Sequence, residues 1–330
     1  MFEKIVQEAG QHPSKNYLII VPEQFTLATQ QTLVELAPNH AIMNIDVLSF
    51  KRLAYRVFDD MAIRDLNVLE ETGKNLVLRK VAQEREEELT VLRPNMNRMG
   101  YIGELKSLIS EFVQYNITPD QLARYAGDAS LPAAFSEKLR DIVTMYRGFE
   151  SYIEGTCITA EEILNLLISV ADKSALLRDS VLVFDEFTGF TPIQNRLFHK
   201  ILPIADRVHI LLTIDERENL YSLAGEHELF YLTKKTIRTL NDMARELGVE
   251  CLAPVILKDA DKKRFSNAPD LAFLEENLFR TWYKKSSAEV GDIQMASLKD
   301  AKEELVWIAR QINHLVQDFG YRYRDIAIVT

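Results

Sequence analysis

Short, unbroken apolar runs, each followed by a helical pattern, constrain this chain more than any other feature. Tyr17 to Val21 reads YLIIV and stops at Pro22. Val181 to Phe184 reads VLVF and meets Asp185, and Val208 to Ile214 reads VHILLTI and meets Asp215. Runs of this length without polar alternation fit strands buried on both faces, which calls for a parallel sheet covered by helices. A further strand is expected over Ile42 to Leu48. Between the first two strands, Glu23 to Leu36 predicts a helix with Phe25, Leu27, Ala28 and Leu33 as its apolar positions. Ser49 can cap the next helix, where Phe50, Leu53, Ala54, Val57 and Phe58 recur at helical spacing. Strand, helix, strand, helix within about 60 residues is an α/β pattern.

From Val68 to Ala171 no strand is expected. Met99, Ile102, Leu105, Leu108, Ile109 and Phe112 form one helical stripe, and Leu139, Ile142, Val143, Tyr146, Phe149 and Ile153 form another. Thr118-Pro119-Asp120 starts a helix with Pro in its first turn, and Thr159 with Glu162 makes a capping box. Beyond the returning strands, a helix is expected from Glu226 to Leu247, ended by Gly248. Ile293 to Leu298 and Ile326 to Val329 suggest two more strands, flanking a helix over Ala301 to Phe319. The expected organisation is a first α/β part over 1–67, a helical insertion over 68–175, a second α/β part over 176–284, and the start of another α/β domain over 285–330. Asp259 to Arg264 reads as a loop, and Lys284-Lys285-Ser286-Ser287 as a linker. The final strand is broken off at Thr330, which suggests a segment cut from a longer chain.

With 330 residues, 47% of them hydrophobic, the chain can bury a sizeable core. It is neither disordered nor a disulfide miniprotein. No apolar run reaches the ~18 residues of a membrane span, and the charged N-terminus MFEKIVQEAG lacks a signal-peptide core. A cytoplasmic, reduced location is expected. Cys157 and Cys251 cannot build a zinc or iron–sulfur site alone, and no histidine pair has ligand spacing, so no metal site is expected. The net charge of −10 weighs against a nucleic-acid partner. Affinity for a phosphate backbone depends on local charge, however, and Lys51, Arg52, Arg56 and Arg64 cluster in sequence.

The segment richest in chemistry runs from Val183 to Gln194, VFDEFTGFTPIQ. An apolar strand ending in Asp185-Glu186 is how nucleotide hydrolases present a metal-holding Asp beside a water-polarising Glu. A solvated strand end is the ordinary alternative. The trailing Phe-x-x-x-x-Pro-x-Gln narrows the match, because it resembles the Asp-Glu-Phe-Gln-Asp…Gln motif of superfamily 1 helicases. Val21-Pro22-Glu23-Gln24-Phe25-Thr26 then falls where those helicases carry a loop that grips single-stranded DNA. Leu48 to Phe58, LSFKRLAYRVF, resembles their Thr-Phe-His-Ser-Phe…Arg segment. Strand-to-helix turns of this kind offer backbone N–H groups to phosphates. Phe50 and Tyr55 can stack on bases, and Arg52 can bond a base edge or phosphate. Their ordinary alternatives are a hydrophobic staple for Phe50 and a core aromatic for Tyr55.

VPEQFT, VLSFKRLAYRVF, DEFTGFTPIQ, LEENLF and GYRYRDIAIVT in that order resemble the N-terminal part of the AddB (RexB) family. These are the B subunits of bacterial ATP-dependent helicase/deoxyribonucleases that process double-strand breaks. The resemblance implies a P-loop helicase-like fold, with domain 1A over 1–67 and 176–284, insertion 1B over 68–175, and the beginning of domain 2A over 285–330. It implies a heterodimer with an AddA-type motor subunit, and a non-motor AddB that scans single-stranded DNA for the Chi hotspot. Gln24 and Thr26 fall at first-loop recognition positions, with Phe50, Arg52 and Tyr55 in the second segment. Either Phe187 or Phe190 supplies an aromatic near the Asp-Glu turn, and Asp185, Glu186 and Gln194 form a vestigial nucleotide and Mg²⁺ constellation. Full-length AddB would be an ATP-dependent 5′–3′ exonuclease with a 4Fe-4S cluster.

The chain departs from the motor pattern in two ways. No GxxxxGK[ST] phosphate cradle occurs in it, so weak or absent ATP binding is expected and no catalytic residue is expected in this segment. The loop Leu212 to Arg217 also lacks the γ-phosphate-sensing Gln of motors. The alternatives are a superfamily 1 ATPase motor, favoured by Asp185-Glu186, and a partner-binding scaffold without DNA contact, favoured by the acidic charge.

Overall fold

The computed structural model describes residues 1–64, 66–223, 225–257, 263–280, 284–286 and 291–329. Helix α1 (Phe2–Gln11) precedes β1 (Tyr17–Ile20), α2 (Thr26–Leu36), β2 (Ile45–Leu48) and α3 (Phe50–Asp60). A two-residue strand β3 (Val68–Leu69) leads into α4 (Glu71–Glu84), α5 (Met99–Gln114), α6 (Pro119–Ala126) and α7 (Ala133–Ile153). Then come β4 (Ile158–Thr159), α8 (Ala160–Val170), β5 (Val181–Phe184), α9 (Pro192–Ile201), β6 (Arg207–Ile210) and α10 (Tyr231–Leu247). Two further helices are α11 (Pro269–Asn277) and α12 (Ala301–Gln317). The described residues fall into two compact units, Met1–Val255 and Ile256–Thr330.

In the first unit β2, β1, β5 and β6 form a parallel sheet in that order. Ile20 is in register with Leu48 on one side and Phe184 on the other, and Phe184 with Ile210. The strand period of two sorts the side chains. Leu18, Ile20, Leu182 and Phe184 join a core with α3, α8 and α9, whereas Tyr17, Ile19, Val181 and Val183 join another with α1 and α2. All eight are completely buried, each contributing about 1.5–3 kcal/mol in its apolar part. This double coverage is what the unalternated apolar runs required. The chain winds from β1 through α2 to β2 on one face, and from β5 through α9 to β6 on the other. The winding therefore reverses between β1 and β5, where open α/β sheets place their ligand crevice.

The insertion between β2 and β5 has its own core, built by α4, α5, α6 and α7 around Leu78, Ile102, Met145 and Tyr146. Asp141, 2% exposed, fixes the segment before α5 by accepting from the amides of Thr90, Val91 and Leu92 and from the Thr90 hydroxyl. The expectation of no strand in this region is corrected: β3 and β4 pair in parallel, Val68 with Ile158 and Leu69 with Thr159. Two residues are too few for sequence periodicity to register. The helix start at Thr118 and the capping box at Thr159–Glu162 form as expected, and Thr118 with Gln121 makes a second capping box.

Elsewhere, the helix expected from Glu226 begins at Tyr231, and Gly248 ends it in the left-handed conformation (φ 66°). In the second unit Asp300 caps α12 through the Glu303 amide at 2.9 Å. The strands expected at 293–298 and 326–329 are not formed. A strand needs a partner's backbone groups, and no described residue of that unit supplies one. Residues 259–262 of the expected loop, and Ser287 of the expected linker, lie outside the described residues. No helix among those described is long and apolar enough to cross a membrane.

Candidate nucleic-acid interface

Level strand ends bring three loops to one edge of the sheet. Pro22 ends β1, and the chain turns through a short 3₁₀ helix, Glu23–Phe25, before α2. That turn moves the start of α2 to Thr26 and rotates its faces relative to the sequence expectation. Phe25, expected on an apolar helix face, is 37% exposed instead. Gln24 beside it is exposed. Thr26 is buried, and its hydroxyl donates to the Glu23 carbonyl at 2.9 Å, closing the turn.

After β2, Ser49 caps α3 by accepting from the Arg52 amide at 3.4 Å. The cap points the first turn of α3 along the same edge. Arg52 is exposed, with its Nε 3.0 Å from Glu23 Oε1. Arg56, one turn further on, holds Asp46 of β2 at 3.3 Å. Tyr55 is half-buried, edge-on to Phe58 with ring centres 6.3 Å apart. Phe50 is 8% exposed and belongs to the core.

After β5, Asp185 Oδ1 accepts from the Glu186 amide at 2.8 Å, and Glu186 takes a left-handed φ of 63°. A non-glycine residue there stores about 1 kcal/mol or more of backbone strain. Gly189 passes close to α10: an added Cβ would stand 3.2 Å from Thr236 Oγ1. Gln194 plays a structural part, since its Oε1 accepts from the Thr191 amide at 2.8 Å and completes the capping box of α9. Among the described residues, no three His, Cys, Asp or Glu side chains gather in a metal-holding group.

The rings from the second and third loops meet. Phe50 lies 5.8 Å from Phe184, 5.4 Å from Phe187 and 6.4 Å from Phe190. Phe190 is also wedged against Phe198 at 4.6 Å, whereas Phe187 packs its ring onto Phe50 and Phe190. Both Phe187 and Phe190 are half-buried. The edge thus presents aromatic faces backed by a rigid core, one exposed guanidinium and an exposed amide side chain. Such a set can stack on bases and bond phosphates or base edges. Sequence reasoning missed Phe25 as a candidate, and Glu23 as the partner of Arg52. The Pro-Glu-Gln-Phe spacing, which favours a turn before the helix, was the available signal for Phe25. Tyr221, Arg238, Asn241 and Arg245 line an open cleft of about 470 Å³.

A family model described as ADDB, N-terminal, matches residues 1–275. The chain belongs to the AddB family. Its relatives include the B subunit of the ATP-dependent helicase/deoxyribonuclease of Lachnoclostridium phytofermentans, 37% identical over 333 aligned residues that cover 100% of this chain and 29% of that protein. The protein of the same name from Caldanaerobacter subterraneus subsp. tengcongensis is 33% identical, covering 98% of this chain and 27% of the relative. That from Clostridium tetani is 30% identical, covering 100% and 29%. The chain therefore spans less than a third of the length of the AddB relatives it matches.

Proposed function

We propose that this AddB segment binds single-stranded DNA along the C-terminal edge of its sheet and inspects the bases, without catalysing a reaction itself. The observation that supports this is that β1, β2 and β5 end level, so that Gln24 and Phe25 after β1, Arg52 and Tyr55 in α3 after β2, and Phe187 and Phe190 after β5 all follow strand ends on one edge. Aromatic faces stack on any base and hold a strand without sequence preference. Gln24 and Arg52 add donors and acceptors that distinguish base edges. Phe187, the ring less enclosed by others, is the better stacking candidate of the pair, and Phe50 and Phe190 support it from beneath. In this reading Thr26 acts by shaping the first loop.

In this reading the fold is helicase-like in descent and serves as a non-motor part. What supports it is that Gln194 Oε1 is engaged in the cap of its own helix and Asp185 Oδ1 accepts the neighbouring Glu186 amide. ATP with Mg²⁺ and a 4Fe-4S cluster belong, in this reading, to full-length AddB and not to the edge described. The relatives' name, which makes them one subunit of a helicase/deoxyribonuclease, supports a partner subunit and DNA as the substrate; an AddA-type partner, double-strand-break repair and Chi as the feature inspected are what the family resemblance implies.

The test is fluorescence anisotropy with a labelled single-stranded oligonucleotide about 20 nucleotides long, longer than the ~4–16 covered by one such groove. Arg52→Ala and Phe187→Ala should each weaken binding several-fold. Binding unchanged in both variants, or absent from the wild type, would favour the scaffold reading.

A further inference from the structure

Both arginines on the exposed side of α3 are held by carboxylates from neighbouring elements. Arg52 meets Glu23 at 3.0 Å, and Arg56 meets Asp46 at 3.3 Å. Glu23 lies in the very turn that carries Gln24 and Phe25. Its side chain and that of Arg52 are each 57% exposed, so a ligand can reach the pair directly.

We propose that Glu23 gates the Arg52 site. In the free protein its carboxylate occupies the guanidinium, and a strand phosphate or an acceptor on a base edge must displace it. The inference rests on the single-strand reading above and deepens it by naming the residue that sets how tightly the edge holds DNA. A guanidinium offers the same charged N–H donors to carboxylate and to phosphate, so the two compete for Arg52. An exposed ion pair is weak, and the gate therefore lowers affinity without closing the site. Where Arg52 is not satisfied by the strand, Glu23 returns to it, an element of discrimination built from a competing partner. A contact that releases most of what it meets suits inspection of a moving strand. The same pairing explains how a basic cluster coexists with a net charge of −10: two of its cations are already matched.

The test is a double-mutant cycle on the intact chain, read by anisotropy of the same oligonucleotide at low and at physiological salt. Glu23→Gln should bind about 2- to 5-fold tighter than wild type, the range an exposed ion pair supports. Arg52→Ala should bind more weakly, and adding Glu23→Gln to it should restore nothing, because the competitor has lost its target. Glu35→Gln, at the far end of α2, controls for bulk charge. A Glu23→Gln gain that persists in the Arg52→Ala background, or that Glu35→Gln reproduces, would overturn the gate in favour of general electrostatics. Weaker binding by Arg52→Ala with no gain from Glu23→Gln would overturn the gate alone. Wild-type binding by Arg52→Ala would overturn the gate, and wild-type binding by Phe187→Ala as well would overturn the edge reading with it. The altered side chains are exposed, and thermal melts of each variant should match wild type.

Discussion

The amide of Asp185 donates to the carbonyl of Ile20 across 3.0 Å, so β1 and β5 end level and their loops begin side by side. That bond carries the β1–β5 register one step past the strand ends. It puts the Glu23–Phe25 turn beside the Asp185–Thr191 loop at the point where the winding of the sheet reverses. Leu211 repeats the arrangement by donating to the carbonyl of Phe184 at 2.8 Å.

Rings at this edge should divide into those that hold the fold and those that meet a ligand. Phe184 is completely buried and Phe25 is 37% exposed. Phe184→Ala should cost about 3–5 kcal/mol in urea unfolding, the range for a large core truncation. Phe25→Ala should cost less than about 1 kcal/mol yet weaken single-strand binding. Equal stability losses in the two variants would contradict the division.

The helical insertion carries a buried charge. Lys74 is 1% exposed and bonded to Glu161 at 2.8 Å and to Glu71 at 2.9 Å. Burial alone would lower its pKa, but the two carboxylates outweigh burial and hold it above the ordinary value of 10.5. Glu161→Ala should destabilise by about 3 kcal/mol, because it strands a buried ammonium with one partner. Lys74→Met should also be costly, because it leaves the Glu161 carboxylate, 11% exposed, without its cation. The double variant Lys74→Met with Glu161→Leu should be far milder than either single one, since it removes both buried charges. Chemical denaturation of the three variants measures the contrast, and a double variant harsher than Glu161→Ala would refute it.

Acid should weaken the first unit through His209. This residue of β6 has its Nε2 buried without a hydrogen-bond partner. Burial, aided by the positive charges of Arg207 and Lys4 and opposed by Glu8, holds its pKa below the ordinary 6.5. Between the ordinary and the lowered value the unfolded chain binds more protons than the folded one. Stability therefore falls as pH drops through 6.5 and levels off below the folded value. Glu8 and Asp206 have folded pKa values held below their ordinary 4.5 and 3.8. For Glu8, burial pushes upward but Arg207, Lys4 and Lys15 prevail; for Asp206, Lys15 leads. Their contribution is present above those ordinary values and is lost only as pH falls through the lowered ones. Thermal unfolding of His209→Gln should show a flatter pH dependence than wild type between about pH 7 and 5. An unchanged slope would assign the loss to other groups.

How legible each element was follows from how its information is written. Strands buried on both faces advertise themselves as unbroken apolar runs, so β1 and β5 were readable to within a residue, with Ser49 marking the start of α3. The pairing of β3 with β4 joins two-residue segments about 90 positions apart, and no local pattern encodes it. Hydrophobicity predicted the strands at 293–298 and 326–329, but a strand exists only with a partner. In the candidate site, Arg52, Tyr55 and the Phe187–Phe190 loop were visible as types at strand ends. The division of roles among the rings was not, because it depends on which of them reach Phe184 and Phe198. The bond from Arg52 to Glu23 crosses 29 positions and required the level strand ends to be known first.

Photocrosslinking tests the location of the interface most directly. A single strand carrying 5-iodouracil, bound to the chain and irradiated, should attach at peptides containing Phe25, Tyr55, Phe187 or Phe190, with less product from Arg52→Ala. Crosslinks confined to the helical insertion, or to the cleft lined by Tyr221, Arg238 and Arg245, would contradict the account.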